Sequence, residues 1–149
     1  MRAYWYDNLE GDQRQPHDSG RTVTPEYLTQ LGITHYFHPD DQASVDAIAS
    51  ERNYSHRDTI EISPDLLPNY EEKVKMFFHE HLHEDEEIRY ILAGGGYFDV
   101  RDKGDDWVRI WLEKGDLIVM PAVSFAGFLR EVVGNADVMA IGYLSPFHD

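Results

Sequence analysis

The sequence lacks cysteine and is poor in basic residues. None of its 149 residues is Cys, so neither a disulfide framework nor a thiolate metal site can form. Only 13 Lys and Arg residues stand against 28 Asp and Glu residues, and the formal net charge is −15. Because proteins bind nucleic acids and anionic membranes largely through Lys and Arg, this charge balance disfavours both kinds of partner.

Long apolar runs are missing as well. No stretch approaches the ~20 apolar residues of a transmembrane helix, and the first ten residues contain no apolar signal core. We therefore expect a soluble protein of the cytoplasm. A chain of 149 residues suits a single domain, and folding at this size buries roughly two-thirds of the unfolded surface.

Turn signals and hydrophobic periodicity predict helices in the first half of the chain and short strands in the second. Residues 7–21 are polar and turn-prone, which predicts a loop. Cap residues predict helices that begin at Thr24, at Asp40 or Asp41, and near Asn69. The predicted strands are 3–6, 33–37, 59–62, 88–92, 97–101, 107–112 and 117–120. Evenly spaced short strands of this kind are typical of a sandwich or small barrel.

A candidate metal site lies where the two halves meet. One residue separates His81 from His83, and Glu87 follows after three more. Two imidazoles and one carboxylate form the triad that holds divalent iron and leaves other coordination positions open. On extended backbone the two histidines point the same way, roughly 6–7 Å apart. An H-x-H pair alone is more often part of a surface loop, but Glu87 at this spacing and Gly94 after an apolar run favour the metal site.

The spacing His81-x-His83-x3-Glu87-x6-Gly94 resembles the first motif of the cupin β-barrels. The stretch from Leu67 to Asp102 is similar to one cupin family in particular, the acireductone dioxygenases. The resemblance implies a mainly β, jelly-roll-like barrel over about 81–149 with helical decoration over about 1–80. It also implies a single Fe(2+) or Ni(2+) ion per chain, a monomer, and a role in methionine salvage in the cytoplasm and nucleus.

The activity implied by this resemblance is cleavage of 1,2-dihydroxy-3-keto-5-methylthiopentene by O2. The iron form would give 4-methylthio-2-oxobutanoate and formate, and the nickel form 3-methylthiopropanoate, carbon monoxide and formate. Arg89 would bind the anionic oxygens of the substrate, since a guanidinium is a fixed cationic fork. Phe77 and Ile91 would line an apolar pocket for the methylthio tail. The alternatives are an outer salt bridge for Arg89 and core packing for the two apolar residues.

The second cupin motif fails after Ala122. Gly115 and Pro121 have the expected spacing, but Val123 replaces a glycine and Ala126 replaces the histidine that would be the fourth ligand. The three remaining donors can still form a facial triad. Loss of the fourth should weaken metal binding, because even changes around a metal ligand typically cost about 10–100-fold in affinity.

Several alternatives stay open. Residues 123–149 are either a divergent C-terminal part with β-like runs at 123–129 and 136–144, or the product of a retained intron. The protein could be an inactive metal-binding relative, which Ala126 favours, or a different cupin oxygenase or isomerase. Nitrogen and oxygen donors accept several metals, so the sequence does not decide between iron and nickel.

Overall fold

The computed structural model describes residues 1–54, 56–62, 69, 71–72, 81–82, 86–101, 106–121, 128–133 and 138–144. Within them, two antiparallel sheets dominate and two helices lie in the first third of the chain. The helices are α1 (Pro25–Gln30) and α2 (Gln42–Glu51). The strands are β1 (Arg2–Tyr6), β2 (Asp18–Thr22), β3 (Thr34–Phe37), β4 (His56–Ile62), β5 (His81–Leu82), β6 (Glu87–Ala93), β7 (Gly95–Arg101), β8 (Trp107–Glu113), β9 (Asp116–Met120), β10 (Phe128–Val133) and β11 (Val138–Leu144).

Both helices begin as the sequence predicts. The Thr24 hydroxyl accepts a hydrogen bond from the Tyr27 N–H, with Pro25 in the first turn. Asp41 caps α2 by accepting from the Ser44 N–H. These side chains satisfy amide groups that the first helical turn leaves without a backbone partner. The third predicted helix, near Asn69, falls mostly outside the described residues.

The six-stranded sheet has the order β2-β1-β8-β7-β10-β5, and the five-stranded sheet has the order β3-β9-β6-β11-β4. The mainly β prediction is confirmed. The boundary placed at residue 81 is wrong, because β1 to β4 all precede it and join the sheets. Periodicity indicated three of these strands, and only long-range pairing shows where they dock. β2 falls in the predicted loop 7–21, because its Asp-Ser-Gly-Arg-Thr sequence has little strand propensity and depends on pairing with β1.

The core lies between the two sheets. Its buried side chains come from both sheets and from α1, and include Val100, Val108, Ile110 and Leu112 of the six-stranded sheet and Ile91, Ile118, Met120 and Ala140 of the five-stranded sheet. A second cluster packs α2 against the other face of the five-stranded sheet through Val45, Ala49, Ile88, Tyr90, Leu117, Val119 and Ile141. The five-stranded sheet therefore has an inner face toward the barrel core and an outer face toward α2.

The C-terminal part supplies a strand to each sheet. β10 pairs with β7 and β5, and β11 pairs with β6 and β4. The predicted run 136–144 is confirmed as β11. The run predicted at 123–129 overlaps β10 at residues 128–129, and residues 122–127 lie outside the described part of the chain.

Candidate metal centre

Three of the predicted site residues lie on the inner face of β6. Glu87, Arg89 and Ile91 alternate along this strand, and alternate residues of a strand share a face. Ile91 belongs to the core between the sheets and is 3% exposed. The side chains of Glu87 and Arg89 remain 24% and 20% exposed, respectively. The strand therefore presents two charged groups beside an apolar wall, with access from solvent.

Glu87 and Arg89 form an ion pair in which Arg89 Nη2 contacts Glu87 Oε1. Because the two residues are two positions apart on one strand, this contact follows directly from the alternation of side chains. A carboxylate that faces a guanidinium is favoured in its ionised form, which is the form that binds a metal cation. The outer salt bridge considered for Arg89 is thus a pair within the candidate site itself.

The neighbours of Arg89 across the sheet differ in size. Ile118 of β9 lies directly opposite on one side, and Gly142 of β11 lies directly opposite on the other. A Cβ atom added at Gly142 would lie 3.2 Å from Arg89 Nη1. Because Gly142 has no side chain, the Arg89 guanidinium can occupy the space beside it.

Glu86, next to the predicted ligand Glu87, forms hydrogen bonds with residues at the C-terminal end of α2. Arg52 Nη1 donates to Glu86 Oε1 at 3.0 Å, and the Tyr54 hydroxyl donates to the same oxygen at 3.2 Å. Burial acts to lower the pKa of Arg52, but the hydrogen bond and charge of Glu86 outweigh it and raise that pKa. Burial and, second, the charge of Glu86 raise the pKa of Tyr54.

The side chain of Glu86 stays 38% exposed while it makes these contacts. No local signal could have found the contact, since 34 positions separate Arg52 from Glu86. Only the packing of α2 against the sheet brings them together. We refer to Arg52, Tyr54 and Glu86 as the α2 clamp.

The structure describes the two predicted histidine ligands only in part. His81 lies on β5, where its backbone pairs with Leu129 of β10, and its side chain is not among those described. His83, Phe77 and Ala126 lie outside the described residues. Within the described part of the chain no three potential metal ligands lie together. What the structure brings together is Glu87, Arg89 and Ile91; the roles of the other predicted residues stay predictions.

The donor chemistry nevertheless fits a divalent transition metal. Imidazole nitrogen suits iron and nickel, and a carboxylate completes a triad that leaves positions open for substrate. The Glu87 carboxylate is partly exposed on the inner face. Four residues separate β5, which carries His81, from β6, which carries Glu87, so these two donors lie close along the chain.

Another charge cluster, which is fully buried, lies on the outer face of the six-stranded sheet. Asp99 and Arg109 face each other in register and are both fully buried. Arg109 Nε and Nη2 donate to the two Asp99 oxygens at 2.8 and 2.9 Å, and Nη1 donates to the carbonyls of Gln13 and Gln15. This pair fixes the loop before β2 onto the sheet.

Two antiparallel sheets around one core, with His81 on β5 and Glu87 at the start of β6, define a barrel of the cupin type. An acireductone dioxygenase from Bacillus anthracis, described with a cadmium ion in its active centre, has the same fold: the TM-score is 0.70 over 83% of each chain, at 22% identity. The chain belongs to the ARD/ARD' family, whose model matches residues 2–125.

Proteins named acireductone dioxygenase are similar over most of the chain. The Phaeosphaeria nodorum protein is 68% identical over 142 residues, which are 95% of this chain and 81% of that protein. The Homo sapiens protein is 52% identical over 86% of this chain and 75% of its own length. These similarities confirm the family predicted from residues 67–102.

The similarity also bears on residues 123–149. The family model ends at residue 125, shortly after the sequence departs from the second motif at Val123. The match to the Phaeosphaeria nodorum protein covers 142 residues, so it continues beyond that point. β10 and β11 of this part pair with strands of both sheets. In addition, none of the described helices is long and apolar enough to cross a membrane.

Proposed function

We propose that the protein is a metal-dependent dioxygenase that cleaves an acireductone with O2. The observation that carries this proposal is the 68% identity with an acireductone dioxygenase over 95% of the chain. The arrangement of Glu87, Arg89 and Ile91 on the inner face of β6 supports it, because it combines a carboxylate donor, a cation and an apolar wall.

The proposed metal ligands are His81, His83 and Glu87. When bound, a single Fe(2+) or Ni(2+) ion would supply Lewis-acid activation of an enediol and a template for its adjacent oxygens. The iron form would yield 4-methylthio-2-oxobutanoate and formate. The nickel form would yield 3-methylthiopropanoate, carbon monoxide and formate.

Arg89 binds the anionic oxygens of the substrate in this proposal. Its guanidinium stays charged at any physiological pH and offers several donors in a plane. Its side chain is 20% exposed, so a ligand can reach it. Arg89 would thereby both neutralise the substrate anion and orient it relative to Glu87, and we assign it the catalytic role among the described residues.

Ile91 would contact the apolar end of the substrate. It is buried on the same face, two residues beyond Arg89, so the charged and apolar walls follow the direction of one strand. Phe77 is proposed as a second apolar contact because it matches a position that lines the apolar pocket in the family the chain resembles. An acireductone with a methylthio tail has this sequence of a polar head followed by an apolar end.

The cellular setting belongs to the same proposal. Cleavage of this substrate is a step of methionine salvage, and we propose that the chain acts there as a single-domain monomer in the cytoplasm and nucleus. Size-exclusion chromatography with light scattering tests the monomer. Fluorescence microscopy of a tagged chain tests the location.

The test of the activity is product analysis after loading with each metal in turn. Apo protein is loaded with Fe(2+) or Ni(2+), mixed with the acireductone under air, and the products are separated by chromatography. Turnover above that of the free metal is expected. His83→Ala should lose both the bound metal and the turnover, and equal metal in both proteins would remove His83 from the site.

Ala126 favours a second candidate, an inactive metal-binding relative. It stands where the fourth ligand is expected, and loss of that imidazole weakens binding without removing the other three donors. Stoichiometric metal without acireductone turnover would support this candidate. In that case Ala126→His is the informative variant, since restored turnover would attribute the inactivity to this one position.

A further inference from the structure

Gly142 of β11 lies directly opposite Arg89 of β6 in the sheet. Residues that are directly opposite in an antiparallel pair have side chains on the same face. Gly142 therefore belongs to the inner face together with Glu87 and Arg89, and it is buried there. Nothing in the sequence singles it out, because it lies beyond the point at which the second cupin motif fails.

The contact between them extends along the arginine side chain. A Cβ atom at Gly142 would lie 3.2 Å from Arg89 Nη1, 3.7 Å from Cζ and 4.0 Å from Cδ. The shortest of these distances is below ordinary van der Waals contact, so the guanidinium would have to move. The movement of the guanidinium is restricted, because its Nη2 is paired with Glu87. In addition, Ile118 of β9 lies on the side of β6 opposite Gly142.

The backbone does not explain why this residue is a glycine. The positive-φ glycines among the described residues are Gly11, Gly20, Gly32, Gly94 and Gly115, and Gly142 is not one of them. An alanine could therefore adopt its conformation without strain. Glycine in a strand interior weakens the strand and often marks a place where another group approaches closely. Here the approaching group is the Arg89 side chain.

We propose that Gly142 is a positioning residue that allows the Arg89 guanidinium to lie across β11 while it is paired with Glu87. The functional part of this inference rests on the proposed function, in which Arg89 binds the anionic oxygens of an acireductone. A side chain at position 142 displaces the guanidinium from that orientation. The divergent C-terminal part of the chain thus sets the geometry of a group on β6.

The first test needs no activity. The Nε–Hε signal of Arg89 is assigned in the ¹⁵N spectrum of the full-length apo protein by its loss in Arg89→Lys. In Gly142→Ala this signal should shift, because the new methyl group moves the guanidinium. Ile141→Val is the matched control, since it alters the same strand on the outer face and should leave the signal in place. An unchanged signal in Gly142→Ala overturns the proposal.

The second test uses the metal-loaded enzyme and a double-mutant cycle. Gly142→Ala should raise the KM for the acireductone about tenfold or more, as expected when a charge-assisted contact is misplaced. In the Arg89→Lys background the same change should have less than about a twofold effect, because lysine lacks the atoms that the methyl group would displace. An equal rise in KM in both backgrounds overturns the positioning role.

The two tests separate the inference from the proposed function. If the loaded wild-type protein does not turn over the acireductone, the proposed function fails, and the NMR signal still decides whether Gly142 positions Arg89. If Gly142→Ala is too unstable for these measurements, its thermal unfolding is compared with that of the double variant Gly142→Ala with Arg89→Lys. Restored stability in the double variant supports crowding of Arg89, and equal instability overturns it.

Discussion

Two arginine–carboxylate pairs in this barrel have the same chemistry and different surroundings. Arg109 and Asp99 lie on the outer face of the six-stranded sheet and are both fully buried. Arg89 and Glu87 lie on the inner face of the five-stranded sheet, with about a fifth to a quarter of each side chain exposed (20% and 24%). One pair is enclosed by protein and the other is open to a ligand.

The enclosed pair exposes no side-chain atom to a ligand. Arg109 donates to both oxygens of Asp99 and to two loop carbonyls, and the rings of Tyr6 and Tyr97 lie 4.7 and 4.6 Å from its guanidinium carbon. Burial acts to lower the pKa of Arg109, but Asp99 outweighs it and raises that pKa. Such a group holds the structure together and is unavailable for chemistry.

The open pair is bounded on one side by a glycine and lies beside an apolar wall. Its partial exposure makes it a weak contributor to stability, because solvent screens charge pairs of this kind. The same exposure lets a metal or substrate compete for its atoms. The comparison teaches that the surroundings of a charged pair, more than its residue types, separate structural from functional arginine in this fold.

The largest expected effect comes from breaking the enclosed pair. Arg109→Met should lower the free energy of unfolding by about 3–5 kcal/mol, because it leaves Asp99 buried without its cation. Urea denaturation followed by circular dichroism measures this loss. Arg109→Met combined with Asp99→Leu should recover part of it, and a loss below about 1 kcal/mol in the single variant would show that the cluster is not a structural pair.

Breaking the open pair should affect metal binding and leave stability nearly unchanged. Glu87→Gln should reduce the affinity for Ni(2+) by at least about 10–100-fold, since it removes an ionised ligand. Its effect on unfolding should stay below about 1 kcal/mol, as for other partly exposed pairs. Isothermal titration calorimetry measures the first and urea denaturation the second. Unchanged affinity would exclude Glu87 as a ligand.

Arg89→Lys should separate substrate binding from metal binding. Loss of a charge-assisted hydrogen bond costs about 1.5–3 kcal/mol, so kcat/KM for the acireductone should fall about 10–100-fold. The bound metal should stay stoichiometric, because lysine keeps the positive charge. Arg101→Lys, on the other sheet beside Trp107, is the matched control and should leave kcat/KM unchanged. A fall in kcat/KM of the same size in both variants would contradict the role of Arg89.

The α2 clamp should have a smaller effect than the ligand it precedes. Arg52→Met with Tyr54→Phe releases Glu86, which adjoins Glu87, and should lower Ni(2+) affinity about two- to tenfold. Isothermal titration calorimetry of this double variant and of Glu87→Gln, under the same conditions, compares their losses of Ni(2+) affinity. If the double variant lost as much Ni(2+) affinity as Glu87→Gln, the clamp would have a role beyond positioning the start of β6.

The smallest effect concerns Asp116, a carboxylate that is fully buried like Asp99. Burial acts to raise its pKa, but hydrogen bonds from His35 and from the Glu113 N–H outweigh this and lower the pKa from 3.8. A depressed pKa in the folded state stabilises the fold above the unfolded-state pKa, and this contribution is lost as the pH falls through the folded-state pKa. Between pH 5 and 2 the melting temperature should fall more steeply in the wild type than in Asp116→Asn.

Local patterns predicted much of the architecture. Alternating runs indicated most of the strands from Glu87 to Met120, and the caps Thr24 and Asp41 placed two helices, because these signals depend only on neighbours in the chain. β2 was missed, and β10 was predicted only at its first two residues, because both depend on pairing with distant strands. The α2 clamp was missed for the same reason, since its members come from separate elements.

The sequence by itself determined the family, the mainly β fold and the candidate donors His81, His83 and Glu87, because residue spacing and periodicity are local properties of the chain. Only the tertiary structure decided which charged pair is enclosed and which is open. It also decided that Gly142 adjoins Arg89. The physical reason is that burial and cross-strand contact arise when two sheets close around one core, and the spacing of residues along the chain does not contain them.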